Sequence, residues 1–347
     1  MSKNQLINKN DLVWVEKYRP SNINKIIQND EIKHLISSKK NLGDLPHLLF
    51  YGQPGTGKTT TALAICKSIF TSNPLHINNY DKIKKERILE LNASDERGIK
   101  IVREKIKTFA SQALNNYEGI PYFKIIILDE ADVMTNDSQF ALRRIIEQYS
   151  HITRFILICN YVTKIISPLS SRCSKYKFNS ISLNSVKTII KNILINEQIL
   201  YDNIDNIAQN IFNFSSGDLR KSITLLQRSA YIAKLNNTII NDSLISETAS
   251  LIPLNLVNEL YQILIKKIDD YIILTNKLTF ILNNGYSSND LLNELAKIII
   301  NDSKLSDKIK SDIFLKMSDI SNLLASGSGE YIQLLYLCSH INNVITI

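Results

Sequence analysis

The chain is poor in the residues that staple small folds. Its 347 residues include only four cysteines, Cys66, Cys159, Cys173 and Cys338, and they form no Cys-x-x-Cys pair. That spacing supports neither a zinc ribbon nor a redox motif; buried thiols in a reducing compartment are expected. The five histidines show no metal-type spacing. No apolar run approaches the roughly 20 residues a membrane helix needs. The start, Met-Ser-Lys-Asn, lacks the basic-then-apolar pattern of a secretory leader. A soluble, intracellular protein with no membrane partner is the expectation. There is no internal repeat and no long low-complexity linker.

What is present reads as globular, with 44% hydrophobic and 21% charged residues. The net charge is +8. A polyanionic partner and a solvated lysine-rich surface both fit that sign. The length suits two or three domains.

Short apolar runs alternate with helical patterns in the first half. Residues 48–51, 87–91, 125–128, 155–159 and 176–178 read as strands, and 58–70, 99–114 and 137–149 as helices. Such alternation predicts an α/β domain with a parallel sheet covered on both faces, over 1–180. Strand signals then stop. Helical spacing at 186–195, 204–214 and 218–235 predicts a small helical domain over 181–245. Leucines and isoleucines recur at helical spacing to the end, which predicts an all-α domain over 246–347.

Two motifs carry chemistry. Gly52-Gln53-Pro54-Gly55-Thr56-Gly57-Lys58-Thr59 matches the P-loop at every fixed position, between a strand and a helix. Its glycines let backbone N–H groups turn toward phosphate oxygens, and the helix offers its positive end to the same anion. Lys58 reaches the β- and γ-phosphates of ATP, and Thr59 ligates Mg²⁺. The second motif is an apolar strand ending in Asp129-Glu130. Alone it is weak, because many strands end in acidic turns. Paired with the first, Asp129 holds the metal and Glu130 polarises the attacking water.

Further segments follow in a fixed order. They are Val15-Glu16-Lys17-Tyr18-Arg19-Pro20, the phosphate loop, Leu91-Asn92-Ala93-Ser94-Asp95-Glu96-Arg97-Gly98 and Leu128-Asp129-Glu130-Ala131-Asp132. Then come Cys159-Asn160-Tyr161, Ser171-Arg172-Cys173 and Gly217-Asp218-Leu219-Arg220-Lys221. Over residues 12–230 this series resembles the small subunits of replication factor C, in the AAA+ superfamily. One departure is Ile27-Gln28-Asn29, where the family often has a glycine before the glutamine.

The resemblance implies an ATPase with a P-loop domain, a helical lid and a C-terminal helical collar. It implies a nuclear protein working in a hetero-pentamer that loads a sliding clamp onto primer–template DNA. Val15 and Ile27 would flank the adenine, with Arg19 nearby and Thr60 completing the loop. Asn160 would be the sensor 1 residue and Arg220 the sensor 2 residue at the γ-phosphate. Arg172 would act on a neighbouring subunit's nucleotide, its charge being free for that role. Two other readings stay open: a scaffold that binds nucleotide without hydrolysing it, and a branch-migration helicase.

On a helix beginning near Ile99, with Ala93-Ser94-Asp95 as caps, residues Ile99, Val102, Ile106, Phe109 and Ala110 share one face. Lys100, Arg103 and Lys107 line an adjacent stripe, and Arg97 falls in the first turn. By spacing alone, a solvated face and a phosphate-contacting face fit equally well. The resemblance points to Arg97 and Arg103, with Lys164, as contacts to the DNA backbone.

Overall fold

The computed structural model describes residues 12–23, 26, 31–32, 45–71, 79–94, 99–115, 117, 119–249, 252–266 and 271–346. The chain forms two compact units, 1–241 and 242–347.

The first unit is built on a five-stranded parallel sheet, with strands β1 His47–Gly52, β2 Ile88–Asn92, β3 Lys124–Asp129, β4 Thr153–Cys159 and β5 Cys173–Phe178. Their order across the sheet is β2-β3-β4-β1-β5. The runs Leu48-Leu49-Phe50, Ile125 to Leu128 and Phe155 to Cys159 are buried throughout. This is what a sheet covered on both faces requires. The crossover from β1 runs one way to reach β2, and the crossover from β4 runs the other way to reach β5. A crevice therefore opens at the carboxyl ends of β1 and β4, where open α/β sheets bind ligands.

Helices α1 Trp14–Lys17, α2 Lys58–Phe70, α3 Tyr80–Arg87, α4 Ile99–Ser111, α5 Asn136–Tyr149 and α6 Ser167–Ser170 belong with this sheet. Helix α3 was not legible as a helix in the sequence. On α4, Ile106 and Ala110 are buried and Lys107 is exposed.

Two buried cations hold the end of α4 and the residues after it through main-chain carbonyls. Lys124, the first residue of β3, donates from Nζ to the carbonyls of Phe109 (2.5 Å) and Gln112 (2.6 Å). Arg87, at the end of α3, donates to the carbonyls of Phe123 (3.2 Å) and Asn115. Burial pushes the Lys124 ammonium below the ordinary lysine range, and the neighbouring Arg87 charge adds to this. All four cysteines are buried and unpaired. Burial pushes the thiols of Cys159, Cys173 and Cys338 up to about 12, so none of these is a poised nucleophile.

Helices α7 Leu183–Asn196, α8 Ile204–Ser215 and α9 Leu219–Asn236 complete the first unit. Each begins at a side-chain cap. Ser182, Asn203 and Asp218 accept backbone N–H groups of the first turns, satisfying donors the helix cannot pair itself. The expected lid, 181–245, thus lies in the first unit except for 242–245.

The second unit holds α10 Asp242–Thr248, α11 Leu254–Ile265, α12 Tyr271–Asn283, α13 Ser288–Asn301, α14 Asp307–Ala325 and α15 Glu330–Thr346. Helices α11 to α15 share one core, with Leu260, Leu264, Leu278, Leu295, Ile313 and Leu337 fully buried. Buried Asn342 donates to the carbonyls of Leu264 (2.8 Å) and Lys266 (2.6 Å), satisfying the end of α11.

Candidate nucleotide-binding site

The strand register brings the predicted residues to one edge. Tyr51 pairs with Cys159, Leu128 with Leu157, and Asn92 with Asp129. The loop after β1, the carboxylates after β3 and Asn160 after β4 therefore share the carboxyl end of the sheet. Gly52 opens the loop at φ +145, where a β-carbon would fall 2.1 Å from the Phe178 carbonyl oxygen. Only glycine allows that approach. The N-cap of α2 is Gly57, which supplies no side-chain acceptor. The first-turn N–H groups are left for an anion in front of them.

Lys58 is buried. Its Nζ donates to the carbonyls of Gly52 and Gln53, both at 2.8 Å, and to Asn160 Oδ1 at 2.9 Å. This last bond spans the crevice between β1 and β4. Burial pushes the ammonium below the ordinary lysine range; Asp129 pulls the other way, and the Arg220 charge adds to the lowering.

Thr59 Oγ1 donates to Asp129 Oδ2 at 2.6 Å. The other carboxylate oxygen accepts the Glu130 backbone N–H at 2.9 Å. Thr59 and Asp129 make an all-oxygen set of the kind hard cations prefer, so the residues present fit Mg²⁺. Glu130 has φ +53, a left-handed conformation uncommon for a non-glycine residue. Thr56 Oγ1 bonds back to the Gln53 carbonyl at 2.8 Å and stiffens the loop.

Arg19 Nε donates to Thr60 Oγ1 at 3.2 Å, placing the Val15–Arg19 segment beside the first turn of α2. Arg220 lies in the first turn of α9, and the neighbouring Leu219 N–H donates to the Gly55 carbonyl at 3.1 Å. The structure thus brings Lys58, Thr59, Asp129, Asn160, Arg19 and Arg220 to one place. Exposed Gln53 and Pro54 line a cleft of about 430 Å³ beside Asn160 and Tyr161, at the ends of β1, β4 and β5.

Arg172 stands apart. It precedes β5, whose first residue pairs with His47, at the opposite edge of the sheet. Five residues of strand, roughly 17 Å, separate it from the phosphate loop. Its charge is not free, contrary to expectation. The guanidinium donates to the Pro168 carbonyl at 2.6 Å and is ion-paired with Glu147 of α5, which also takes Arg143 Nε at 3.1 Å. Those two arginines hold the Glu147 carboxyl below the usual range, the Arg143 hydrogen bond contributing most.

Lys164 lies in a 3₁₀ turn, exposed, with its Nζ 5.2 Å from the centre of the Tyr161 ring. Ile27 and Arg97 lie outside the described residues, as does Asp95 of the expected cap. Arg103 is placed in α4 by its backbone alone.

Sequence reasoning missed Asp132. Its Oδ2 accepts the N–H groups of Asn160 (3.2 Å) and Tyr161 (3.1 Å), and so fixes the turn that aims Asn160 at Lys58. The signal was present, three residues after Asp129, but a surface acid in a turn looks the same in sequence.

Comparisons agree along the chain. Residues 48–180 match the model of the ATPase family associated with various cellular activities (AAA). Residues 252–340 match the replication factor C C-terminal domain. Replication factor C subunit 2 of Schizosaccharomyces pombe is 39% identical over 97% of this chain and 95% of its own length. Subunit 4 of Homo sapiens is 38% identical over 94% of this chain and 87% of its own. A small subunit from the archaeon Pyrobaculum aerophilum is 36% identical over 96% and 95%. Among solved structures, the RuvB Holliday junction branch migration motor of Thermotoga maritima shares the fold at a TM-score of 0.50. It is 18% identical and covers 80% of this chain and 91% of its own. Matched in both units and over nearly its whole length, the chain belongs to the replication factor C family of AAA ATPases, the clamp-loader subunits.

Proposed function

We propose that this chain binds ATP with Mg²⁺ at the loop of residues 52–60 and hydrolyses it inside a multi-subunit assembly. That assembly places a sliding clamp on primer–template DNA in the nucleus. The observation that carries this reading is the convergence of Lys58, Thr59, Asp129 and Asn160 at the switch point of the sheet. Bound there, ATP with its metal supplies the phosphoanhydride whose cleavage drives the assembly.

The chain's own residues divide the work. Lys58 and the uncapped N-terminus of α2 hold phosphate charge. Thr59 and Asp129 present oxygens to the cation. Glu130 orients the attacking water and takes its proton, while the Asn160 amide holds the same region. Arg220 reaches in from the lid helix α9. Val15, Arg19 and Ile27 bound the base. Arg172, a strand's length from its own loop, acts on the nucleotide of an adjoining subunit. Arg97, Arg103 and Lys164 contact DNA phosphates, with no base-reading group among them. The second unit joins the chain to other replication factor C subunits.

Lys58→Ala tests the core of this reading. Titrating the purified chain with ATP should show binding that the variant lacks. Equal affinity in both would remove the phosphate loop from the mechanism.

A further inference from the structure

Residues 14–18 are fastened to helices α7 and α9 at two places. The Trp14 N–H donates to Gln227 Oε1 of α9 at 3.1 Å, and the Trp14 ring is buried. Lys17 Nζ and Tyr18 Oη both donate to one oxygen, Glu197 Oε1, at 2.6 and 2.7 Å. Glu197 is the C-cap residue of α7, 180 positions along the chain from Lys17. The Glu197 side chain is 14% exposed and that of Lys17 22%.

Nothing local favours an acid there. The carboxyl end of a helix carries partial negative charge and selects cations. What Glu197 gains is the pair of donors from the other end of the unit. Partial burial by itself would raise its carboxyl; the bonds from Lys17 and Tyr18, helped by the charges of Lys17 and Lys234, outweigh this and hold it below the usual range. Burial and the same bond drive the Tyr18 phenol up, so it remains a donor.

The other end of the segment touches the nucleotide site. Arg19 bonds to Thr60, the third residue of α2. The 14–19 segment thus lies beside the first turn of α2, within reach of a nucleoside whose phosphates sit at the start of that helix. Arg220, in the first turn of α9, belongs to the same helical group that holds Glu197 and Gln227.

We propose that Glu197 is a positioning residue for the nucleotide: it clasps the base-side wall, Trp14 to Arg19, to the lid that carries Arg220, so that wall and lid are set as one piece. The proposal rests on the ATP reading above. It separates two halves of the ligand. Phosphate held by Lys58 and α2 does not depend on the clasp, whereas the nucleoside end does.

The test uses the full-length chain and two probes, ATP and inorganic tripolyphosphate. Glu197→Ala should weaken ATP binding about tenfold, the effect of losing hydrogen bonds to one charged group. Tripolyphosphate affinity should stay within twofold. Tyr18→Phe, which keeps the ring and the fold, should shift ATP alone by a smaller factor in the same direction. The exchange Lys17→Glu with Glu197→Lys should recover part of the loss. Unchanged ATP affinity in Glu197→Ala would overturn the proposal, and so would equal weakening of both probes. A wild-type chain that binds tripolyphosphate and not ATP would overturn it too; one that binds neither would overturn the ATP reading itself.

Discussion

Gly55 and Asp218 touch where the phosphate loop meets the start of α9. A β-carbon on Gly55 would lie 1.8 Å from Asp218 Oδ1. The same oxygen caps α9 through the Arg220 N–H at 2.8 Å. Gly55→Ala therefore meets two penalties. Its φ of +70 costs an L-residue about 1–2 kcal/mol. Displacing Asp218 uncaps α9, at about 1 kcal/mol. The variant should melt several degrees lower and bind ATP at least tenfold more weakly, although Lys58 is intact. A melting curve and an ATP titration that both match wild type would show that the contact does not matter.

Glu130→Gln should bind ATP nearly normally, because Thr59 and Asp129 are untouched. Hydrolysis should slow by roughly 10²–10⁴-fold, the usual worth of a positioned general base. Single-turnover measurement in the assembled complex is the check. A variant that lost binding yet kept its rate per bound ATP would mean that the two carboxylates have exchanged roles. Normal hydrolysis would leave Glu130 without a catalytic part, as a non-hydrolysing scaffold requires.

Arg172→Ala should impair hydrolysis at the adjoining subunit's site more than at its own. Arginines supplied in trans are worth about 10³–10⁵ in rate in GTPases, and a smaller factor is expected where ring subunits share control. The Glu147 contact adds a second expectation. Glu147→Gln should leave folding stability unchanged, since the pair is largely exposed, and should not lower the neighbour's rate. Mixed assemblies with one active site at a time separate the cases. Loss confined to the chain's own site would exclude action in trans.

His47 gives the first unit an acid-sensitive point. Its Nδ1 accepts the Phe155 N–H at 3.1 Å, tying β1 to β4. Burial, helped by the nearby Arg154 charge, lowers its pKa from 6.5 to about 4. Between those values the unfolded chain binds more protons than the folded one, so stability rises with pH across that window. The slope is at most about 1.4 kcal/mol per pH unit, and less for a ring that keeps some solvent contact. Denaturation of wild type and His47→Gln from pH 4 to 7 should give a flatter profile for the variant. Parallel profiles would remove His47 as the cause.

Most of the architecture was legible because burial imposes a period. The strands at 125–128 and 155–159 are continuous apolar runs since both faces of the sheet are covered, and the apolar spacing of α2 ends near Phe70, where the helix does. Helix α3 was missed because Asp81-Lys82-Ile83-Lys84-Lys85-Glu86-Arg87 has a single buried aliphatic, Ile83, and a buried arginine. It shows no apolar stripe. The sequence pattern shows only 176–178 of strand β5, because Cys173 to Phe178 alternates as an edge strand does and β5 lies at the edge of the sheet. The site residues next to loops of fixed spacing were visible. The contacts that set them were not. Glu197 lies 180 positions from Lys17 and Glu147 lies 25 from Arg172. An ion pair between distant segments leaves no periodic trace.

The two ends of β3 are tied to different things. Lys124, at its head, holds the carbonyls of Phe109 in α4 and of Gln112 just after it, and Asp129, at its foot, holds Thr59 of the phosphate loop. Strand β3 spans about 17 Å between these two attachments. The carboxyl end of α4 and the carboxylate that takes Thr59 are thus fixed to opposite ends of one strand.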